Sequence, residues 1–430
     1  MNTVVPASHM AEVSHRTRRR IFFRILPYVF LLYIINFIDR MNVSAAALEM
    51  PFDKEVLGIG SGIFFIGYFA LNIPGALIVE KSSARKLICA IMVLWGLVTM
   101  MTAFVRTPTQ FYVVRFLLGF AEAGFFPGIV VYLTHWFPNE DRAKAAAYFM
   151  AAIPVSSVLG APLAGWLLGV RWFGLEGWHW LFILEGIPAV IFGIVTLFYL
   201  TDWPHEAKWL KTEEREWLVN QLEHEKQAKL KVRKYGVFEV FYQREVLTLT
   251  AVYFLFGMLV YGIGVWLPTI VKGVSGESNL NVMLLSAIPY AVSTVVMQIN
   301  GWHSDKTNER LWHTAIPLML AGVWLSVMYT AELSTVAMMT VLVLLTASYQ
   351  AILPTFWAIP STILGEAAGA SATGFINSIG MLGGFFGPAL MGYITQNSHT
   401  FKPAYAMLAV CMFVAGLLVL STRIRKPEAT

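Results

Sequence analysis

Four ionisable residues stand inside long apolar runs: Asp39 and Arg40 in PYVFLLYIINFIDRMNVSAAAL, and Arg115 and Glu122 in FYVVRFLLGFAEAGFFPG. On insertion scales a charge at bilayer depth costs about 2.5–3.5 kcal/mol, so charges kept there face a cavity and each other. The rest of the chain is expected to avoid charge inside its apolar runs. A guanidinium matches a planar carboxylate through two parallel hydrogen bonds, which lysine cannot reproduce. A carboxylate beside a guanidinium is ionised while paired and free to take a proton once the pair parts. Arg40 and Arg115 are therefore assigned to an anion, and Asp39 and Glu122 to a proton. Arg115 and Glu122 are two helical turns apart and share one face at about 10 Å separation. Asp39 and Arg40 leave their helix about 100° apart, so one can face a cavity while the other reaches a facing helix. The alternative is a set of internal salt bridges that only hold the first and fourth spans together, but intramembrane ion pairs are weak stabilisers.

The elements that must position these groups follow from composition. Of 430 residues, 57% are hydrophobic and 13% charged, with a mean hydropathy of +0.63, too apolar for a water-facing surface. Runs of about 20 apolar residues are long enough to cross a bilayer. They predict an all-α integral membrane protein with twelve spans: 25–48, 59–80, 87–105, 110–136, 143–170 and 176–200, then 246–271, 281–303, 312–331, 335–358, 371–395 and 403–422. The expected organisation is a tail (1–24), a six-helix bundle (25–200), a linker (201–245), a second six-helix bundle (246–422) and a short tail (423–430). The linker is rich in Lys, Glu and Gln and is expected to lie along the membrane through Trp209, Trp217 and Leu218. Of the 31 Lys and Arg residues, five fall on one side (Lys54, Arg106, Arg171, Lys272 and Lys402) and two within spans. The remainder predict that both termini are cytoplasmic. The basic start of the chain runs into the first span without a small-residue cleavage site, which points to a cytoplasmic tail rather than a cleaved signal.

The two bundles look like repeats. Glu80, Lys81 and Arg85 after the second span recur as Asp305, Lys306 and Arg310 after the eighth, at one constant offset. Gly160-Ala-Pro162 and Phe386-Gly-Pro388 recur at nearly the same offset. Two related halves with a substrate path between them are expected. The paired loops place a carboxylate at a helix end and an arginine beyond it, a charge cluster suited to holding one conformation and releasing in another. Glu80, Arg85, Asp305 and Arg310 are the conformational gating candidates, with ordinary topology signal as the alternative. The loops resemble the signature loop of the major facilitator superfamily.

NIPGALIVEKSSARK (72–86), RFLLGFAEAGFFPGIVVYLTHWFP (115–138), GVWLPTIVK (264–272), PTFWAIPSTILG (354–365) and INSIGMLGGFFGP (376–388) resemble the anion:cation symporter family of that superfamily. The likeness is closest to its bacterial tartrate- and phthalate-type members. It implies two pseudo-symmetric six-helix bundles and proton-coupled uptake of organic anions. It also implies coupling roles for the acids of the first and fourth spans, and a binding site lined by both arginines. By the same resemblance Tyr68, Trp357 and Asn377 match positions that contact substrate, although Tyr and Trp also serve as interfacial anchors. Weaker polar candidates are Ser156, Ser157, Tyr253, Tyr261, Gln298 and Ser378.

Other chemistries lack their residues. The two cysteines, Cys89 and Cys411, sit apart in apolar stretches, so no disulfide or thiolate metal site is expected. His135, His179, His303 and His313 have no metal-ligand spacing. No phosphate-cradling loop or nucleophile–base set is present, so neither ATP, another cofactor nor an enzymatic reaction is expected. The expected partners are a small organic anion, protons and lipid, with no nucleic acid and the chain a monomer in the inner (plasma) membrane. The rivals are an antiporter or exporter of the same fold, which two cavity arginines disfavour, and a transporter-like sensor.

Overall fold

The computed structural model describes residues 7–81, 83–230, 242–364 and 366–422. Side chains of 72–82 and 364–371 lie outside the described set. The described chain is helical throughout: α1 (Ala7–Ala46), α2 (Lys54–Lys81), α3 (Ala84–Thr102), α4 (Pro108–Glu122), α5 (Phe125–Trp136), α6 (Asn139–Met150), α7 (Ala152–Leu168), α8 (Gly177–Tyr199), α9 (Thr212–Leu230), α10 (Arg244–Ser275), α11 (Asn279–Thr307), α12 (Leu311–Thr330), α13 (Thr335–Leu364), α14 (Glu366–Gly380), α15 (Gly383–Ser398) and α16 (Lys402–Ser421). Among the described residues, twelve stretches are long and apolar enough to cross a membrane; α4–α5, α6–α7 and α14–α15 each combine into one of them.

The breaks inside the composite spans have local causes. Pro127 lacks the N–H that would bond the Ala123 carbonyl, and Pro154 lacks the one that would bond Met150. The fourth span accordingly breaks between Glu122 and Phe125, and the fifth at Ala151. The sequence had predicted both as continuous. The break of the fourth span falls directly after one of the four buried ionisable residues.

The first helix begins at Ala7 rather than near residue 25. Arg16 and Arg20 each donate to the Glu214 carboxylate of α9 at 2.7 Å. Arg18 donates to Glu140 of α6, also at 2.7 Å. These tertiary partners keep the basic tail helical and draw α9 against it. The α9 segment also binds through Arg142–Glu225 (3.1 Å), a Trp136–Trp209 stack (5.3 Å) and a fully buried Leu218. It therefore covers protein at Trp209 and Leu218, where the sequence had predicted membrane.

The halves meet at the face remote from the chain termini. There Gly58 and Gly62 of α2 bring its backbone against the carbonyls of Pro388 and Phe385 in α15, and Gly165 of α7 lies against Leu280 and Met283 of α11. Hydrogen bonds from Lys54 N–H to Gln396 Oε1 (3.3 Å) and from Asn279 Nδ2 to Glu49 Oε1 (2.9 Å) join the halves at this face. Within the first half, Gly119 of α4 lies so near α2 that a Cβ would stand 1.9 Å from the Phe64 carbonyl oxygen. Small residues permit such backbone approaches where lipid supplies no hydrophobic drive between helices.

Gly119→Ala should therefore cost about 1–3 kcal/mol, the usual range for overpacking. Gly273→Ala, at a position with nothing within 4 Å of the added carbon, should be near neutral. Melting temperatures of the two detergent-purified variants check this, and equal losses would contradict the packing argument.

Candidate functional site

The α2–α4 approach places Arg115 beneath α2. Its Nε points at the Gly60 carbonyl at 3.4 Å, and its guanidinium carbon lies 5.0 Å from the centre of the Phe64 ring. Arg115 is 2% exposed, and its Nη1 meets no acceptor among the described residues. Arg40, one turn and a half below the end of α1, reaches across to α4. Its Nε donates to Glu122 Oε1 at 2.9 Å, and its Nη2 donates to the same oxygen. Glu122 Oε2 has no donor among the described residues. Aromatic faces surround the Arg40 guanidinium: Tyr68 at 5.1 Å, Phe37 at 5.4 Å and Phe64 at 5.5 Å. Tyr261 of α10 lies on the same group from the second half and packs on Phe65 at 4.2 Å.

Asp39 faces the other way, as neighbouring positions on a helix require. It accepts from Asn42 Nδ2 at 3.0 Å and from the Thr99 hydroxyl of α3 at 2.9 Å. The site is thus one interhelix ion pair, Arg40–Glu122, and not two. Asp39 is held by neutral donors, and Arg115 rests on a backbone carbonyl.

The remaining candidates are dispersed. Trp357 of α13 packs edge-on against Tyr253 at 4.8 Å, and Tyr253 stands near Tyr68 and Tyr261, so it borders the aromatic surround at one remove. Asn377 is half-buried in α14, its carbonyl accepting from Met381. At the terminal face Arg310 pairs with Asp305 at 2.6 Å, inside its own loop. Arg85 takes Asp202, beyond α8, at 3.1 Å; Asp202 also accepts from the Ser83 hydroxyl and the Arg85 amide. The Glu80 side chain lies outside the described residues. Among the described residues, Arg310 thus meets the acid of its own loop and Arg85 an acid beyond α8.

One buried acid was missed. Glu185 of α8 sits in GWHWLFILEGIPAVIFGIVTLFY, 5% exposed, so the expectation that no further charge enters an apolar run is wrong. The criterion that singles out Asp39 and Glu122, a charge inside an apolar run, selects it equally well. Thr99, Asn42 and the Gly60 carbonyl carried no such signal.

Removing one member of a buried ion pair strands the other, at a cost of about 3–5 kcal/mol. Glu122→Ala should lower the melting temperature sharply, while Arg40→Met combined with Glu122→Leu should restore much of it. A double variant no more stable than the single would show that the loss does not come from a stranded Arg40.

Residues 29–388 match the Major Facilitator Superfamily. A protein of Agrobacterium vitis that bears the name "Putative tartrate transporter" is 42% identical over 416 residues, 96% of this chain and 94% of that protein. The inner membrane transport protein RhmT of Escherichia coli K12 is 32% identical over 412 residues, 94% of this chain and 95% of RhmT. The structure superposes on that of a D-xylose-proton symporter with a TM-score of 0.73 at 16% identity, over 95% of this chain and all of the other. That neighbour establishes the fold alone. With twelve spans, a shared fold and relatives that match nearly end to end, the chain belongs to the major facilitator superfamily and is a multi-pass secondary transporter, not an enzyme.

Proposed function

We propose that this protein imports a small carboxylate-bearing organic anion, of the tartrate type, together with protons. The observation that carries this is the site's charge arrangement: a buried guanidinium with an unused donor, Arg115, stands near a second, Arg40, whose partner is an ionisable acid. The name borne by the Agrobacterium vitis relative supports the substrate class. RhmT supports an inner (plasma) membrane location. Lys and Arg asymmetry supports a cytoplasmic terminal face. The carrier is proposed to work as a monomer of two six-helix bundles, 25–200 and 246–422, joined by 201–245.

The coupling follows from competition for Arg40. While Glu122 is ionised it holds Arg40 and excludes an anion from it. When Glu122 takes a proton, its O–H no longer needs the guanidinium, and Arg40 is free for the substrate carboxylate, with Arg115 Nη1 as the second anchor. One proton and one negative charge enter together, so the pair of events leaves the charge of the site unchanged. Asp39, set between neutral donors, is the second proton-coupling acid. Tyr68, Trp357 and Asn377 are proposed to fit the rest of the substrate, and the Arg85, Asp305 and Arg310 loops, with Glu80, to gate the cytoplasmic side.

Arg115→Lys keeps the charge but loses the fork. A charge-assisted hydrogen bond contributes about 1.5–3 kcal/mol, so L-tartrate affinity should fall by about tenfold or more, measured by calorimetry on the purified variant. Wild-type affinity would sink the anchor role.

Uptake of labelled L-tartrate into proteoliposomes should need an inward proton gradient, collapse with an uncoupler and be indifferent to replacement of Na⁺ by K⁺. Asp39→Asn and Glu122→Gln mimic the protonated acids. They should lose accumulation while at least one retains exchange of labelled for unlabelled tartrate. A strict Na⁺ requirement would overturn proton coupling.

A further inference from the structure

Glu185 lies outside the Arg40–Glu122 pair, and neither of its carboxylate oxygens meets a donor among the described residues. It lines a cavity of about 30 Å³ formed by α1, α7 and α8 of the first half and α10 and α11 of the second. That is room for a water or two. Of the serine hydroxyls around the cavity, Ser44 gives its proton to the Met41 carbonyl (2.6 Å), Ser156 to Ile153 (2.7 Å) and Ser286 to Val282 (2.7 Å), each in its own helix, while Ser157 is shared between the Ile153 carbonyl (3.2 Å) and the Met41 sulfur of α1 (3.8 Å). Asn42 gives its Nδ2 to Asp39 and leaves Oδ1 without a donor. The walls thus turn acceptor lone pairs toward an acid that is itself an acceptor when ionised.

The groups that face Glu185 bring no cation. From α1 the charged neighbour is Asp39, near enough to repel it. From α11 the titratable group is Tyr290, and α7 and α10 contribute no charged side chain to the cavity. On the α3 side the contact is the backbone of Gly96 against Gly186. An isolated ionised carboxylate in such surroundings is costly, and neutralisation is the usual outcome. Much of the wall is apolar, including Ile38, Ala161, Leu267 and Met283, and no group of three or more His, Cys, Asp or Glu side chains stands together among the described residues.

We propose that Glu185 is a further proton-binding residue of the transport cycle, loaded from the remote face when α7 and α11 part. A hydronium ion gives one proton to a Glu185 oxygen and leaves as water; one O–H bond forms, and that O–H is the donor the surrounding acceptors lack. Because the cavity belongs to both halves, it is closed while Gly165 rests on Leu280 and Met283 and open when they separate. This inference rests on the proton-coupled reading above.

The test uses the full chain in liposomes. Infrared difference spectra stepped from alkaline to acid pH in K⁺ buffer should show a protonated carboxyl band. Glu185→Gln should remove one component of it, and Glu185→Asp should keep that component at a displaced frequency. In transport, with the membrane potential clamped at zero and a gradient of one pH unit, loss of one coupled proton lowers steady accumulation of labelled L-tartrate about tenfold. Glu185→Gln should show that fall and retain exchange. Spectra unchanged in Glu185→Gln, a band that follows Na⁺ instead of pH, or accumulation equal to a proton-driven wild type would each overturn the proposal and leave the coupling role of Asp39 and Glu122 standing. Accumulation by the wild type with no dependence on protons would overturn both.

Discussion

The constraint on which the rest of this structure depends is that a charge is costly to leave alone in a medium of low dielectric constant. Arg40 on α1 and Glu122 on α4 meet it by sharing one carboxylate oxygen between two guanidinium nitrogens, and the helices around them are arranged to make that contact. Gly119 lets α4 lie on α2, which brings Arg115 and Phe64 to the same depth. The break after Glu122 then ends α4 where its acid has been delivered. A pair of this kind adds little stability over well-packed apolar residues. In the reading proposed above, its use lies in what can replace each partner, since a proton satisfies the acid and an anion satisfies the base.

Much of this was legible in the sequence. The twelve spans stand out because lipid demands continuous apolar length, and the α4–α5 and α6–α7 breaks can be traced to Pro127 and Pro154. The start of α1 was not legible: what keeps residues 7–24 helical is Glu214 and Glu140, more than a hundred positions away. In the site, Arg40, Arg115, Asp39 and Glu122 were visible because each is a charge in an apolar run. Their partners were not, because Thr99 and the Gly60 carbonyl are ordinary in sequence and acquire meaning only through helix contacts. The repeat after the second and eighth spans did not reveal the partner of Arg85 either. Identical spacing brought Arg310 to Asp305 but Arg85 to Asp202, since a flexible side chain selects whichever carboxylate the neighbouring loop presents.

The contact between the halves has a different character from the contacts within them. At the remote face it is built from glycine and small-residue surfaces, with hydrogen bonds at Lys54–Gln396 and Glu49–Asn279 at the rim. Such a surface packs closely and yet strands no buried charge when it opens, because Gly58, Gly62 and Gly165 expose only backbone and apolar neighbours. Glu49 keeps Arg171 at 2.8 Å within its own half when Asn279 leaves. Charged pairs placed across that surface would be broken at each opening and desolvated again at each closing.

The four central ionisable residues are instead confined to the first half, where their ion pair and hydrogen bonds join α1 to α4 and α3, and α4 to α2. The second half contributes aromatic surface, Tyr261 and, behind it, Tyr253 and Trp357. This division follows from the same electrostatic constraint. A charge network split between two bodies that separate would be re-solvated in every cycle, whereas one kept within a single body changes only when a proton or an anion enters it. The second half meets the Arg40–Glu122 pair with uncharged groups, so the ion pair itself is complete within the first half.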